Sequence, residues 1–120
     1  MATQDMCCSI APYFQVHSGK MAAFKAICEK FMAKTQTEPK CLYYGFSFEG
    51  DRVHCREGYE GAEGVLAHVA NVEGVLQEAL QIADLLRLEV HGPASELEKL
   101  REPMASLNPQ FFTLEYGFRR

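Results

Sequence analysis

The stretch CLYYGFSFEGDRVHCREGY, residues 41–59, decides the fold. Both of its halves are rich in aromatic and β-branched residues, which favour strands. Gly50-Asp51 between the halves is typical of a hairpin turn. We therefore predict two antiparallel strands, over residues 41–49 and 52–59.

The sequence on either side of this hairpin alternates between strand and helix patterns. Residues 7–16 alternate as a strand, and apolar residues at helical spacing follow until Thr37-Glu38-Pro39 ends the helix. The later elements are a helix over 61–83 with a break near Asn71 and Gly74, a strand over 85–91, a helix capped by Ser95 and Glu98, and a strand over 111–119. This order, βαββαβ with an extra helix and strand, predicts one ferredoxin-like α+β domain over 1–120, with 1–6 as a flexible N-terminus.

Composition excludes several classes of function. The net charge is −4 and the basic residues are dispersed, so no basic face is available for nucleic acid. No apolar run approaches the roughly 20 residues that span a membrane, and the N-terminus lacks a signal-peptide pattern. The cysteines number five, an odd count without a Cys-x-x-Cys pair or metal-ligand spacing. We therefore expect a cytoplasmic protein with free thiols, without a metal, and with no nucleic-acid or membrane partner.

Strand alternation separates the residues of the sheet into two faces. The apolar set, expected to face the helices, is Ile10, Phe14, Leu42, Tyr44, Phe46, Phe48, Val53, Cys55, Glu57, Leu86, Leu88, Val90, Phe112, Leu114, Tyr116 and Phe118. The other set mixes both signs of charge with Tyr13 and Tyr43. Such a face is either solvated or pairs with a second copy of the chain.

The chain resembles the antibiotic biosynthesis monooxygenase family of the dimeric α+β barrel superfamily. The resemblance depends on Cys41-Leu42-Tyr43-Tyr44, on Val53, Cys55, Glu57 and Tyr59 leading into Gly61-Ala62-Glu63 and His68, and on the segment from His91-Gly92-Pro93 to Phe111-Phe112. It implies a homodimer whose sheets meet in a barrel, with a ligand cavity between the sheet and helices of each protomer. It also implies the activity of the family's oxygenases, which act on quinol-like aromatics without metal or flavin. Haem-degrading relatives use an Asn–Trp–His set, and this chain has no tryptophan.

His68 and Glu57 are the candidate catalytic residues, because each places a titratable group on an apolar face. His68 lies on the same helical stripe as Val65 and Val72. The alternative is structural: a core histidine bonded to Glu57, which ties the sheet to the helix.

The candidate substrate-binding residues are Tyr44, Tyr116, Cys55 and Phe46. The two tyrosines offer phenol groups that can orient an aromatic ligand, although tyrosines on strands are usually core residues.

Two functions remain open at this point. The resemblance implies a cofactor-independent monooxygenase in which His68, assisted by Glu57, deprotonates a phenol or quinol that then reacts with O₂. The other is a non-catalytic protein that binds a small aromatic or apolar ligand, or acts as an interaction module.

Overall fold

The predicted hairpin lies at the edge of a five-stranded sheet in the computed structural model, which describes residues 3–120. The elements are β1 (Cys7–Val16), α1 (Met21–Thr35), β2 (Cys41–Glu49), β3 (Arg52–Glu60), α2 (Gly61–Ala79), β4 (Ala83–Gly92), α3 (Ala94–Glu98), a short 3₁₀ turn (Ala105–Leu107) and β5 (Gln110–Thr113). The strand order is β2-β3-β1-β4-β5, and only β5 pairs in parallel with its neighbour. The ferredoxin-like α+β fold is therefore confirmed, with one helix and one strand appended.

One face of the sheet is covered by the helices, and its core divides into two clusters. Phe24 and Phe31 of α1 pack with Phe14 and Val53 in the first cluster. Val65 of α2 belongs to the second cluster, with Leu97 of α3 and with Leu100 and Met104 of the segment after it. His68 lies on α2 between these clusters. No helix in residues 3–120 is long and apolar enough to span a bilayer.

Two bulges correct the predicted apolar face. Tyr13 of β1 pairs with Arg87, but Phe14 pairs with Leu85, so Leu86 is an extra residue on β4 and is 48% exposed. Leu42 is likewise skipped in the pairing of β2 with β3. Each extra residue resets the alternation, and its side chain is exposed instead of facing the core.

The last strand is shorter than predicted. It ends at Thr113 because its partner β4 ends at Gly92, and no strand remains for further pairing. Tyr116 and Phe118 are consequently exposed. Phe112 is exposed because it lies on the open face of β5, where its ring stacks on His91. Phe48 stays on the helix side, beneath Lys25 of α1, but it is 42% exposed near the free end of the hairpin. The assignment of Phe112, Tyr116 and Phe118 to the helix-covered face is wrong, whereas that of Phe48 is right.

Residues 3–6 lie against the C-terminal tail. The backbone N–H of Thr3 donates to the carbonyl of Glu115 at 2.8 Å, and Arg119 contacts Asp5 at 3.0 Å. The flexible N-terminus that we expected over residues 1–6 falls partly on residues 1 and 2, which are outside the described residues.

Helix α2 runs without the predicted break and ends at Ala79. Gly74 is on the exposed side of the helix, where the missing side chain leaves no gap in the core. The predicted capping box is also absent, because α3 begins directly after Pro93 and includes Ser95 within the helix. Glu96 instead accepts the backbone N–H of Ala62 at 2.9 Å, so α3 satisfies a free donor at the start of α2.

Candidate functional site

Glu57 and His68 meet beneath α2, as the sequence predicted. Glu57 points from β3 toward the helices, and its Oε1 lies 3.2 Å from Nε2 of His68. Each side chain is only 5% exposed. The hydroxyl of Tyr59 also donates to Oε1 of Glu57 at 2.6 Å. The carboxylate is therefore held by two partners in an environment nearly free of water.

The other nitrogen of His68 lies against a second carboxylate. Its Nδ1 is 3.1 Å from Oε1 and 3.0 Å from Oε2 of Glu38, in the loop between α1 and β2. The side chain of Glu38 is 8% exposed. Asn71 donates from Nδ2 to Oε2 of Glu38 at 2.8 Å and to the carbonyl of Lys34 at 3.0 Å. His68 is thus enclosed by two carboxylates on opposite sides of its ring.

This arrangement favours the charged form of His68. A neutral imidazole has a single N–H, whereas two ionised carboxylates can each accept a proton donor, so only the imidazolium satisfies both. Burial opposes the charged form, but the hydrogen bonds and charges of Glu57 and Glu38 outweigh it and raise the pKa of His68.

The remaining polar side chains near Glu57 stay protonated at neutral pH. Burial raises the pKa values of Tyr44, Cys55 and Tyr59, and the charge of Glu57 raises them further. The rings of Tyr44 and Tyr59 lie beside the imidazole, with centroids at 5.3 Å and 4.9 Å. These groups can donate hydrogen bonds, but they do not compete with Glu57 as bases.

Glu57 and His68 line an apolar cavity of about 70 Å³ between the sheet and α2. Tyr44, Phe46 and Cys55 line the same cavity. Its other walls are Ile10, Pro12, Phe14, Phe31, Val69, Val72, Leu76, Leu85, Leu88, Met104 and Leu107. The structure therefore brings together five of the six candidate residues, in the layer where the resemblance implies a ligand cavity.

Tyr116 is the candidate that does not belong to this cavity. It is 72% exposed and lies beyond the end of β5. The prediction assumed that alternation continued to residue 119, but the chain leaves the sheet after Thr113. Tyr116 is therefore corrected to a surface residue.

Sequence reasoning missed Glu38, Asn71 and the hydrogen bond of Tyr59. Glu38 was interpreted only as part of the signal that ends the first helix, and a loop has no periodicity to reveal a buried carboxylate. Asn71 carried a usable signal. It follows His68 by three residues, so the two polar groups share a helix face and both require partners.

No group of three or more histidine, cysteine or acidic side chains in residues 3–120 has an arrangement suited to a metal ion. His54, on the open face, stacks on Tyr13 at 4.4 Å and contacts the carbonyl of Pro12. His91 contacts Glu89 instead. The two histidines therefore take part in separate local contacts.

A scan against models of protein families finds no match for this chain, and a search of curated proteins also finds none. Solved structures do match. A candidate antibiotic biosynthesis monooxygenase from Nitrosomonas europaea is 16% identical, with 78% of this chain and 96% of that one covered at a TM-score of 0.68. A second candidate, from Caulobacter crescentus, is also 16% identical and covers 72% of this chain and 88% of its own, at a TM-score of 0.65. These distant matches establish the fold.

A much nearer match is MupZ from Pseudomonas fluorescens. It is 50% identical to this chain, with 95% of this chain and 94% of that one covered, and the TM-score is 0.91. Identity at this level over almost the whole length establishes the family as well as the fold. The chain belongs to the family of MupZ, whose fold is that of the antibiotic biosynthesis monooxygenases.

Proposed function

We propose that this protein is a cofactor-independent monooxygenase that oxidises a small phenolic or quinol-type substrate with O₂. The observation that supports it best is the Glu57–His68 pair on the wall of an otherwise apolar cavity. A buried pair of titratable groups in a cavity is a common property of sites for acid–base chemistry.

Glu57 is the proposed proton acceptor. Both nitrogens of His68 lie against carboxylates, so the imidazolium has no free lone pair to offer a substrate. Glu57 is anionic beside this cation and lines the cavity. This assignment exchanges the roles that the sequence suggested: His68 stabilises the ionised base, and Glu57 takes the proton.

The cavity supplies the binding contacts and excludes water. The protonated hydroxyl of Tyr44 can donate to the phenolate that forms, while Phe46 packs against the ring of the substrate. With little water present, the charges in the site act more strongly on the bound anion than they would in solution.

The oxidation itself uses electrons from the substrate. Once deprotonated, the anion reacts directly with O₂. One oxygen atom enters the substrate, and the other leaves as water with two electrons and two protons that the substrate supplies. The substrate must therefore be a reduced, quinol-type compound, because no other reductant takes part.

The size of the cavity restricts how the substrate binds. At about 70 Å³ it is smaller than the roughly 150 Å³ that holds benzene in an apolar protein cavity. An aromatic substrate must therefore displace part of the lining. Met104 and Leu107 are the lining residues that we expect to move, because they belong to the irregular segment after α3 rather than to the sheet or α2.

The test is oxygen uptake with a panel of quinols in chelator-treated buffer, followed by mass spectrometry of products formed under ¹⁸O₂. We expect one labelled oxygen atom per product molecule. Glu57→Gln should lower turnover by about 10²–10⁴-fold, as expected for loss of a general base. The matched control is Glu63→Gln, a change of the same chemistry at a side chain that is 81% exposed. Wild-type protein that consumes no oxygen with any quinol, or yields no labelled product, overturns the proposal.

A second candidate, non-catalytic binding of a small apolar ligand, is supported by the almost wholly apolar lining. It predicts saturable binding of small aromatics, by calorimetry, without chemical change of the ligand. Val72→Phe, which fills the cavity, should abolish that binding, whereas Glu57→Gln should preserve it. Conversion of the ligand by wild-type protein excludes this candidate.

We also propose that the protein forms a homodimer through the face of the sheet that the helices leave open. Tyr13 and its stacked partner His54 lie on this face, as do His91 and Phe112, whose rings stack at 4.9 Å. Sedimentation velocity at micromolar concentration should show a dimer. Tyr13→Glu should dissociate it, and Ala67→Glu, on the exposed side of α2, should not. A monomeric wild-type protein contradicts the proposal.

A further inference from the structure

Glu38 is a buried acid that the proposed reaction does not use. Its side chain is 8% exposed, and both of its oxygens lie within 3.1 Å of Nδ1 of His68. A carboxylate removed from water is destabilised unless it is paired and hydrogen bonded, so this position has a cost that its contacts must offset.

The structure fixes Glu38 firmly although it belongs to a loop. Asn71 uses its amide group to connect Oε2 of Glu38 with the carbonyl of Lys34 at the end of α1. The backbone N–H of Glu38 donates to the carbonyl of Thr35 at 3.0 Å. The carboxylate therefore has a defined orientation toward His68 before any substrate binds.

Glu38 and Glu57 act on His68 from opposite sides, and the sides differ in their surroundings. Glu57 lines the inner cavity, described above. Glu38 lines a separate outer cavity of about 290 Å³ between the end of α1 and β2. Thr35 lines the outer cavity too, and its buried Oγ1 has no hydrogen-bond partner in the part of the chain that the structure describes. The outer cavity is thus larger and more polar than the inner cavity.

The charges around His68 come from a small number of elements. The titratable groups beside it are Glu57, Tyr59 and Cys55 of β3, Tyr44 of β2 and Glu38 of the loop. Cys41 of β2 lies near both carboxylates. The cysteines and tyrosines have raised pKa values and remain neutral, so the two carboxylates alone carry charge next to the ring. Removal of either carboxylate removes one of the two anions that support the imidazolium.

We propose that Glu38 is a positioning residue that holds His68 as an imidazolium against Glu57. The role rests on the proposed function, since it explains how the base in the inner cavity stays ionised. Glu38 touches neither the inner cavity nor a substrate there. It acts only through the charge and orientation of the ring.

The test is a ¹⁵N NMR titration of His68 without substrate, in wild-type protein, Glu38→Gln, Glu38→Ala and the exposed control Glu63→Gln. Glu38→Gln keeps the size of the side chain but loses its charge, so the pKa of His68 should fall. Glu38→Ala should lower it as well, and millimolar formate should restore it, because the truncated side chain leaves space for the anion. Formate should have no effect on Glu38→Gln, where that space is filled.

Activity provides a separate readout. In Glu38→Gln the alkaline limb of the kcat/KM profile should move to lower pH with the pKa of His68, and formate should reverse the change only in Glu38→Ala. An unchanged His68 titration in both variants overturns the positioning role. Failure of formate to restore the titration in Glu38→Ala would mean that a carboxylate at this position does not support the imidazolium, and it also overturns the positioning role. Absence of oxygen uptake in wild-type protein rejects the proposed function, while the titration still decides the role of Glu38.

Discussion

Two of the histidines that lie beside carboxylates are on opposite faces of the sheet. His68 lies under α2 between Glu57 and Glu38, and its side chain is 5% exposed. His91, on the open face, contacts Glu89 at 2.9 Å, and its side chain is 41% exposed. The groups are chemically similar, but water reaches only one of them.

The difference shows that burial, more than the identity of the charged groups, determines what an ion pair does. Exposed pairs gain little, because water already solvates both partners and salt screens them. Buried partners depend on one another, because neither has another means of being solvated. The His68 cluster should therefore tolerate substitution poorly, and the His91 pair should tolerate it well.

The largest expected effect is that of His68→Ala. It leaves Glu57 and Glu38 buried without their cation, and removal of one partner from a buried pair costs about 3–5 kcal/mol. In the monomer, His91→Ala on the open face should cost less than about 1 kcal/mol. Urea unfolding of the two variants measures both values. Equal losses in the free energy of unfolding would mean that burial does not make the His68 cluster contribute more to stability than the His91 pair.

Tyr59→Phe is expected to have the next largest effect. It removes the 2.6 Å hydrogen bond to Glu57 without changing the packing of the ring. A hydrogen bond to a charged group contributes about 1.5–3 kcal/mol. Tyr116→Phe is the matched control, because Tyr116 is mostly exposed and should change the free energy of unfolding by less than about 0.5 kcal/mol. A cost for Tyr59→Phe no greater than that of the control would show that Glu57 does not depend on this donor.

The fold could be predicted from the sequence because its signals are local. Apolar periodicity, the Gly50-Asp51 turn and the order of the elements are all visible without knowledge of the tertiary structure. The errors occurred where pairing between strands matters. Leu86 is exposed because of the register between β1 and β4, which is a property of two strands together.

The site was predictable only in the parts that lie on regular elements. Glu57 and His68 were found because a charged group on an apolar strand face, or on an apolar helix stripe, violates a pattern. Glu38 belongs to a loop, where no pattern exists to be violated. Tyr116 was misplaced for a different reason: alternation predicts the face of a residue only while the strand continues.

The pH dependence of stability offers a finer test of the buried cluster. The pKa of His68 is raised above its ordinary value of about 6.5. The stability that the charged ring contributes is therefore fully present below that value, and it is lost as pH rises through the raised pKa of the folded state. The reference is a variant in which Glu38, Glu57 and His68 are all glutamine, because it has no titrating group in the cluster.

We expect wild-type protein to lose stability relative to this reference as pH rises from about 6.5, the ordinary value for histidine, into the alkaline range. Urea unfolding across that range provides the measurement. The contributions of titrating groups outside the cluster cancel in the difference between the free energies of unfolding of the two proteins. A difference that stays constant with pH would mean that His68 does not change charge in this interval, or that it binds protons equally in the folded and unfolded states.

The smallest expected effect is that of Glu89→Gln on the open face. The hydrogen bond from His91 lowers the pKa of Glu89, so its contribution is present above the pKa of the unfolded chain and is lost as pH falls through the lowered folded value. In the monomer at neutral pH the substitution should cost about 0–1 kcal/mol, and 1 M salt should reduce that cost. The second copy of the chain that we propose on this face would change the result, because it would cover Glu89, whose side chain is already only 15% exposed. A cost above about 2 kcal/mol that rises with protein concentration would show that the open face is covered, and the contrast between the two histidines would then apply only to the monomer.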